Sequence, residues 1–190
     1  QVENGRVEAL NNLVIGNQGV AVVNVSGGLL IATNAGNGID IGTGLNGTGT
    51  LNLNNSTVCS SFSSTVVKGD VSTADLNVSG GTLDMTATQF SIGWGTGSVS
   101  RLNISGGSAN IGQLIVVGGS RATNSTATLQ LSGGTLSVGR LAASSAVGAT
   151  SNIWFSGGTL AALSNFTNAL AVTLTNAPGP GLVTYDTLAN

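Results

Sequence analysis

Apolar and polar residues alternate in short bursts along this chain, and the bursts recur. In Leu76-Asn77-Val78 two apolar residues flank a polar one; Ser79-Gly80-Gly81 interrupts the alternation, and Thr82-Leu83-Asp84-Met85 resumes it. Alternate side chains of a strand share a face, so each burst reads as a strand with one buried side. The Gly-Gly pair reads as a sharp corner, because glycine reaches backbone angles that a Cβ forbids. The octet apolar-Asn-apolar-Ser-Gly-Gly-Thr-Leu begins at Val23, Leu51, Leu76, Leu102, Leu129 and Ile153, so successive copies are offset by 28, 25, 26, 27 and 24 residues. The copy from Leu51 to Val58 is degenerate, with Asn55-Ser56 in place of the glycines. A third segment ends in an apolar-Gly signal, as in Phe90-Ser91-Ile92-Gly93 and Ile115-Val116-Val117-Gly118, and a loop such as Gly95-Thr96-Gly97-Ser98 leads into the next octet.

Recurrence at a near-constant step separates a stacked solenoid from a β-sandwich, which would also use short strands and turns but has no need of one octet repeated in register. The expected fold is an all-β, single-domain β-solenoid of six to seven coils, with roughly 26 residues and three short strands in each. At the inter-strand spacing such a stack is roughly 30–35 Å long. Residues 1–20 are expected to form an N-terminal edge or partial cap, residues 21–160 the six octet-bearing coils, and residues 161–190 a C-terminal coil. Octet positions one and three should form inward aliphatic columns. Position two should form an outward column of Asn24, Asn52, Asn77, Asn103, Gln130 and Trp154, whose amides can hydrogen-bond along the rod.

Composition changes this picture by removing function classes. Among 190 residues only 6% are charged, against about 25% in an average domain. Apolar residues make up 41% and the mean hydropathy is +0.34, so the chain can bury a core despite its low charge. Five Lys and Arg, scattered, give no footprint for nucleic acid. No apolar run is long enough to span a membrane as a helix. With one cysteine, Cys59, and no histidine, neither an intrachain disulfide nor a zinc site can form. No cofactor motif is present. Gln1 is not an initiator Met and no signal peptide is visible, which leads us to expect a processed form or a piece of a longer chain.

The run Leu76-Asn77-Val78-Ser79-Gly80-Gly81-Thr82-Leu83, followed by apolar-Gly and a Gly/Ser loop, resembles the autotransporter-associated β-strand repeat and repeats of PEP-CTERM-type bacterial surface proteins. Gly157-Gly158-Thr159-Leu160, Leu170-Ala171-Val172-Thr173-Leu174 and Tyr185-Asp186-Thr187 are similar too. The resemblance covers about residues 13–190 and departs at 51–70, where Cys59 is flanked by Ser60, Ser61, Ser63 and Ser64. It implies a secreted or cell-surface location and no shared catalytic motif.

Few residues offer chemistry. Gly36-Asn37-Gly38-Ile39-Asp40-Ile41 resembles one calcium-binding nonapeptide of the RTX β-rolls, but calcium takes 6–8 oxygens and this chain has one copy with one Asp, read as solvated. In register, Asp75 and Arg101 should lie one coil apart, with Asp84 on the neighbouring strand and Lys68 and Asp70 upstream. β-Helix polysaccharide lyases use such groups, but an exposed ion pair is the simpler reading. Asn24, Asn77, Asn103, Asn124 and Asn165 begin Asn-x-Ser/Thr triplets, several of which the octet itself generates. Trp94 and Trp154 could stack on sugar rings. Thr57, Thr82, Ser108, Thr135 and Thr159 should form a hydroxyl column, without the Thr-x-Thr regularity that ordering ice would need.

These features lead us to expect a non-enzymatic extracellular rod, structural or adhesive, with a carbohydrate-binding or carbohydrate-active β-helix as the alternative. Glu3, Arg6 and Glu8 could cap one end partially. At the other end, residues 170–174 and 182–185 are apolar alternating segments punctuated by Pro178 and Pro180. The expected partners are the chain itself, end to end, or further coils of a longer chain, with a surface polysaccharide as a further candidate.

Overall fold

In the computed structural model the alternating bursts become parallel strands, each stacked on the equivalent strand of the coil before it. The structure describes residues 2–32, 38–55, 58–61, 65–66, 70–117, 121–143, 145–168, 170–174 and 182–186. One sheet has eight strands: β1 (Val2–Glu3), β4 (Val20–Ser26), β7 (Thr48–Asn54), β10 (Thr73–Val78), β12 (Val99–Ile104), β14 (Thr126–Leu131), β16 (Thr150–Phe155) and β18 (Thr173–Leu174). A second sheet is built from β2 (Arg6–Ala9), β5 (Leu29–Ala32), β8 (Val58–Ser61), β11 (Thr82–Ile92), β13 (Ser108–Val116), β15 (Thr135–Ala142), β17 (Gly158–Asn168) and β19 (Val183–Asp186). It is joined by β3 (Leu13–Ile15), β6 (Ile39–Ile41) and β9 (Thr65–Val66). Six octet-bearing coils are thus flanked by a short coil at each end. Residues 2–15 form a layer of the stack themselves, and Arg6 and Glu8 pair with each other on its edge strand at 2.7 Å.

The octet register holds through the eight-stranded sheet. Leu51, Leu76 and Leu102 stand in line, as do Leu53, Val78 and Ile104, and all six are buried. Three separate strands per coil occur in the first three coils, where β2 and β3, β5 and β6, and β8 and β9 are distinct. From β11 onward the second and third segments join into one bent strand. In β13 the buried residues are Ala109, Ile111, Leu114 and Val116, so the alternation slips at Gly112-Gln113 and two consecutive residues leave the core side. The corner therefore persists inside the strand, and the sequence pattern of apolar positions explains it.

The degenerate copy is one residue longer at its corner. Ser26 lies beside Asn54, but Leu29 lies beside Val58 and Leu30 beside Cys59. Cys59 therefore takes the register place of Leu30 and Leu83, and Val58 takes the place expected for Thr57, which lies outside the described residues. Asn55, at φ 50°, turns this corner in the left-handed region. A similar shift of one affects the third segment: Ile92 pairs with Val116, so the place of Gly93 (φ 74°) falls to Val117 (φ 65°) rather than to Gly118.

Two backbone columns hold the corners together. At the octet corner the second glycine is left-handed, as in Gly107 at φ 67°, and a Cβ added there would run into the Gly81 carbonyl oxygen of the coil below. Two residues before each octet strand lies another left-handed column: Gln18, Asn46, Val71, Gly97, Asn124 and Gly148, with φ between 53° and 69°. The N–H groups of Asn46, Val71, Gly97 and Asn124 donate to Asp70, Thr96, Thr123 and Val147 of the next coil at 2.8–3.2 Å. The turn is thus fixed by stacking, whatever residue occupies it.

Two substitutions test these columns in opposite directions. Gly107→Ala combines a left-handed backbone with a backbone clash and should lower unfolding stability by about 2–4 kcal/mol in urea titrations. Val71 is exposed at 58% and its β-branch gains nothing from burial there. Val71→Asn, a residue that tolerates φ above zero, should raise stability by about 1 kcal/mol.

Candidate functional site

The outward face of the eight-stranded sheet carries most of the polar order. Asn52 Nδ2 donates to Asn24 Oδ1 at 2.7 Å, Asn77 to Asn52 at 2.8 Å, and Asn103 to Asn77 at 2.7 Å. Parallel register brings identical amides one inter-strand spacing apart, which allows each to donate to one neighbour and accept from the other. The same column continues through Gln130 to Trp154 and then Thr173. Asn24, Asn77 and Asn103 are therefore committed to the ladder, and their Asn-x-Ser/Thr triplets follow from the octet. Asn124 serves the left-handed corner column, and Asn165 is exposed on β17.

One column along on the same face, Asp75 and Arg101 are direct register partners, and Arg101 Nη1 lies 3.3 Å from Asp75 Oδ1. Both side chains reach solvent. Asp84 does not join them. It sits on the other sheet, where its Oδ1 accepts from the Thr86 N–H at 3.1 Å and the Thr86 hydroxyl at 2.9 Å, closing a local turn in β11. Asp70 Oδ1 accepts from the Thr96 N–H at 2.9 Å and ties two coils together. Lys68 lies outside the described residues. The acid–base cluster of the carbohydrate-active reading therefore resolves into three separate local contacts.

Asp40 is not solvated, contrary to the expectation from its Gly-rich loop. It is 1% exposed on β6 between Ile39 and Ile41, and its Oδ2 accepts a hydrogen bond from Asn12 Nδ2 of the preceding coil. Gly36 and Asn37 lie outside the described residues. Among the described residues no group of three His, Cys, Asp or Glu is placed to hold a metal ion.

Trp94 and Trp154 are not brought together. Trp94 is half-buried in the loop between β11 and β12. Trp154, near the end of β16, is 42% exposed on the outer face of the eight-stranded sheet, the face that also bears Asp75 and Arg101. The hydroxyl column of the other sheet starts later than expected. Arg6, Leu29 and Val58 occupy its first places, and Thr82, Ser108, Thr135, Thr159 and Thr184 follow, with Thr82 Oγ1 and Ser108 Oγ 3.2 Å apart.

One feature has no counterpart in the sequence reading. A cavity of about 310 Å³ opens where β19 lies over β17, lined by Leu160, Ala162, Asn165, Phe166, Tyr185 and Asp186. It exists because β17 carries extra residues between Ala162 and Thr167, which pair with Val138 and Arg140. Those residues bulge away from the stack, and no motif marks the bulge.

The ladder and the ion pair should differ in what they contribute. Asn77→Ala leaves the Asn103 Nδ2 donor without its acceptor and the Asn52 Oδ1 acceptor without its donor, so it should cost about 1–2 kcal/mol. Arg101→Ala removes only an exposed pair and should cost less than about 1 kcal/mol. Urea titrations of the two variants side by side measure the difference. Comparison with family models, with curated proteins and with solved structures finds no match for this chain, so the likeness of its octet to the bacterial surface repeats is a likeness of motif alone.

Proposed function

We propose that this chain is a non-enzymatic structural or adhesive rod, a filament subunit or stalk segment that works outside the cell. The observation that carries this reading is the state of the inward columns at the two end coils. Val7 lies in line with Leu30, yet Val7 is 37% exposed while Leu30 is buried. At the opposite end Leu174 stands over the buried Phe155 and is 59% exposed, and Tyr185 stands over the buried Leu160 and is 52% exposed. Side chains that belong to the core columns are left exposed on the outermost described strands of both sheets.

Such an end is a template for another coil. The covering layer is either further coils of a longer chain or the first coil of a second copy. A contact between unlike ends does not close on itself unless rotation allows it, so it extends into a filament. The motif resemblance supports a bacterial surface location, and the scarcity of charge suits a surface whose cohesion is carried by backbone and amide ladders. Asp75 and Arg101 are assigned no catalytic part.

Sedimentation velocity over rising protein concentration, with electron microscopy of the same samples, tests the reading. Lengthwise oligomers are expected, and Leu174→Lys, which places a charge on the open column, should shorten them. A chain that stays a monodisperse monomer at high concentration would overturn self-association through these ends.

A further inference from the structure

The amide column of the eight-stranded sheet ends in an aromatic ring. From Asn24 to Asn103 the column is asparagine, at Gln130 it is still an amide, and at Trp154 an indole takes the amide's place and stands exposed. Register fixes its surroundings. Gln130 lies on one side and Thr173 on the other within the column; Asn152 is the next outward residue along β16, with Thr128 beside Asn152. The indole is therefore bordered by two amides and a hydroxyl, and among the described residues no register neighbour of the ring is charged. On the outer faces of these strands the charged residues among those described are Glu3, Asp75 and Arg101, and the last two are paired with each other.

An exposed indole costs hydration of apolar area with no core to repay it. A partner that fits must supply a flat apolar face for the ring and hydroxyls for the amides around it, and must carry no charge. We propose that Trp154, with Gln130, Asn152 and Thr173, binds a neutral polysaccharide whose chain runs along the rod axis. A pyranose ring presents C–H bonds on its face and hydroxyls at its rim. The face stacks on the indole, and the rim hydroxyls exchange hydrogen bonds with the amides of Gln130 and Asn152. The amide column beyond Gln130 continues the same chemistry along the axis, one inter-strand spacing per coil. An acidic polysaccharide finds no free cation beside the ring to match its charge.

This names the ligand class for the adhesive half of the rod reading and rests on it. The test uses the whole chain in a Trp94→Phe background, so that Trp154 is the only indole. Cellohexaose, chitohexaose and mannohexaose serve as neutral probes and hexagalacturonate as the acidic control, followed by Trp154 emission and by calorimetry. At least one neutral probe is expected to bind and shift the emission, with hexagalacturonate about tenfold weaker or more. Trp154→Gln, which restores the amide of the column and leaves Ile153 and Phe155 in the core, should keep the melting temperature and lose about tenfold or more in affinity. Trp154→Tyr should retain most of the binding, and Arg101→Ala should not change it.

Equal binding by the Trp154→Gln variant overturns the inference. So does failure of all three neutral probes, or a preference for hexagalacturonate. An emission shift that follows protein concentration without sugar would mean that a second copy covers the ring, and also overturns it. Sedimentation of the same samples separates the two readings: intact oligomers without sugar binding sink only the ligand, and sugar binding by a monomer sinks only the self-association.

Discussion

Parallel stacking in register is the constraint from which the rest of this molecule follows. Each coil satisfies its strand N–H and C=O groups on the coils before and after it, so every residue acquires a fixed neighbour one turn away. Like residues then meet like residues. Leucines over leucines make a continuous aliphatic core, asparagines over asparagines make a hydrogen-bonded amide ladder, and glycines over glycines let corners approach within contact of the carbonyls beneath them. Charge is scarce for the same reason, since a repeated charged position would stack like charges at the inter-strand spacing. The Asp75–Arg101 pair shows how a charged position is tolerated: two opposite charges occupy adjacent coils of one column, and the coils on either side carry Thr50 and Thr128.

Much of this was legible because the octet is a register mark. Once Leu76 is set over Leu102, the amide ladder, the ion pair and the inward columns follow without further information. What the residues did not disclose lies where chain length and register part company. The corner at Asn54 to Val58 holds one residue more than its neighbours, which moves Cys59 into a leucine place, and residue type alone gives no sign of it. The fused strands from β11 onward hide their corner at Gly112 in a one-residue slip of alternation.

The left-handed column was invisible for a different reason. Gln18, Val71 and Gly97 share no chemistry, and only the stacked backbone makes them equivalent. The octet register set Gln130 beside Trp154, but Thr173, which lies outside the octets, reaches the ring only through a pairing that no motif marks. Asp40 was misjudged because a Gly-rich neighbourhood suggests solvent, whereas β6 is covered by the preceding coil through Asn12. The differences in octet spacing are absorbed at corners and bulges, which tolerate an extra residue. A strand could not, because one inserted residue would turn its whole apolar face outward.

The amide ladder has a sense as well as a spacing. Asn103 donates to Asn77, Asn77 to Asn52 and Asn52 to Asn24, each toward the coil before it. Side-chain dipoles aligned in this way reinforce one another as backbone amides do in a helix. The stack is accordingly a vector: the Asn24 amide keeps its hydrogens for the coil before it, and the Asn103 amide keeps its oxygen for Gln130 in the coil after it. The ladder therefore gives four successive coils a shared sense, carried by a residue that never enters the core.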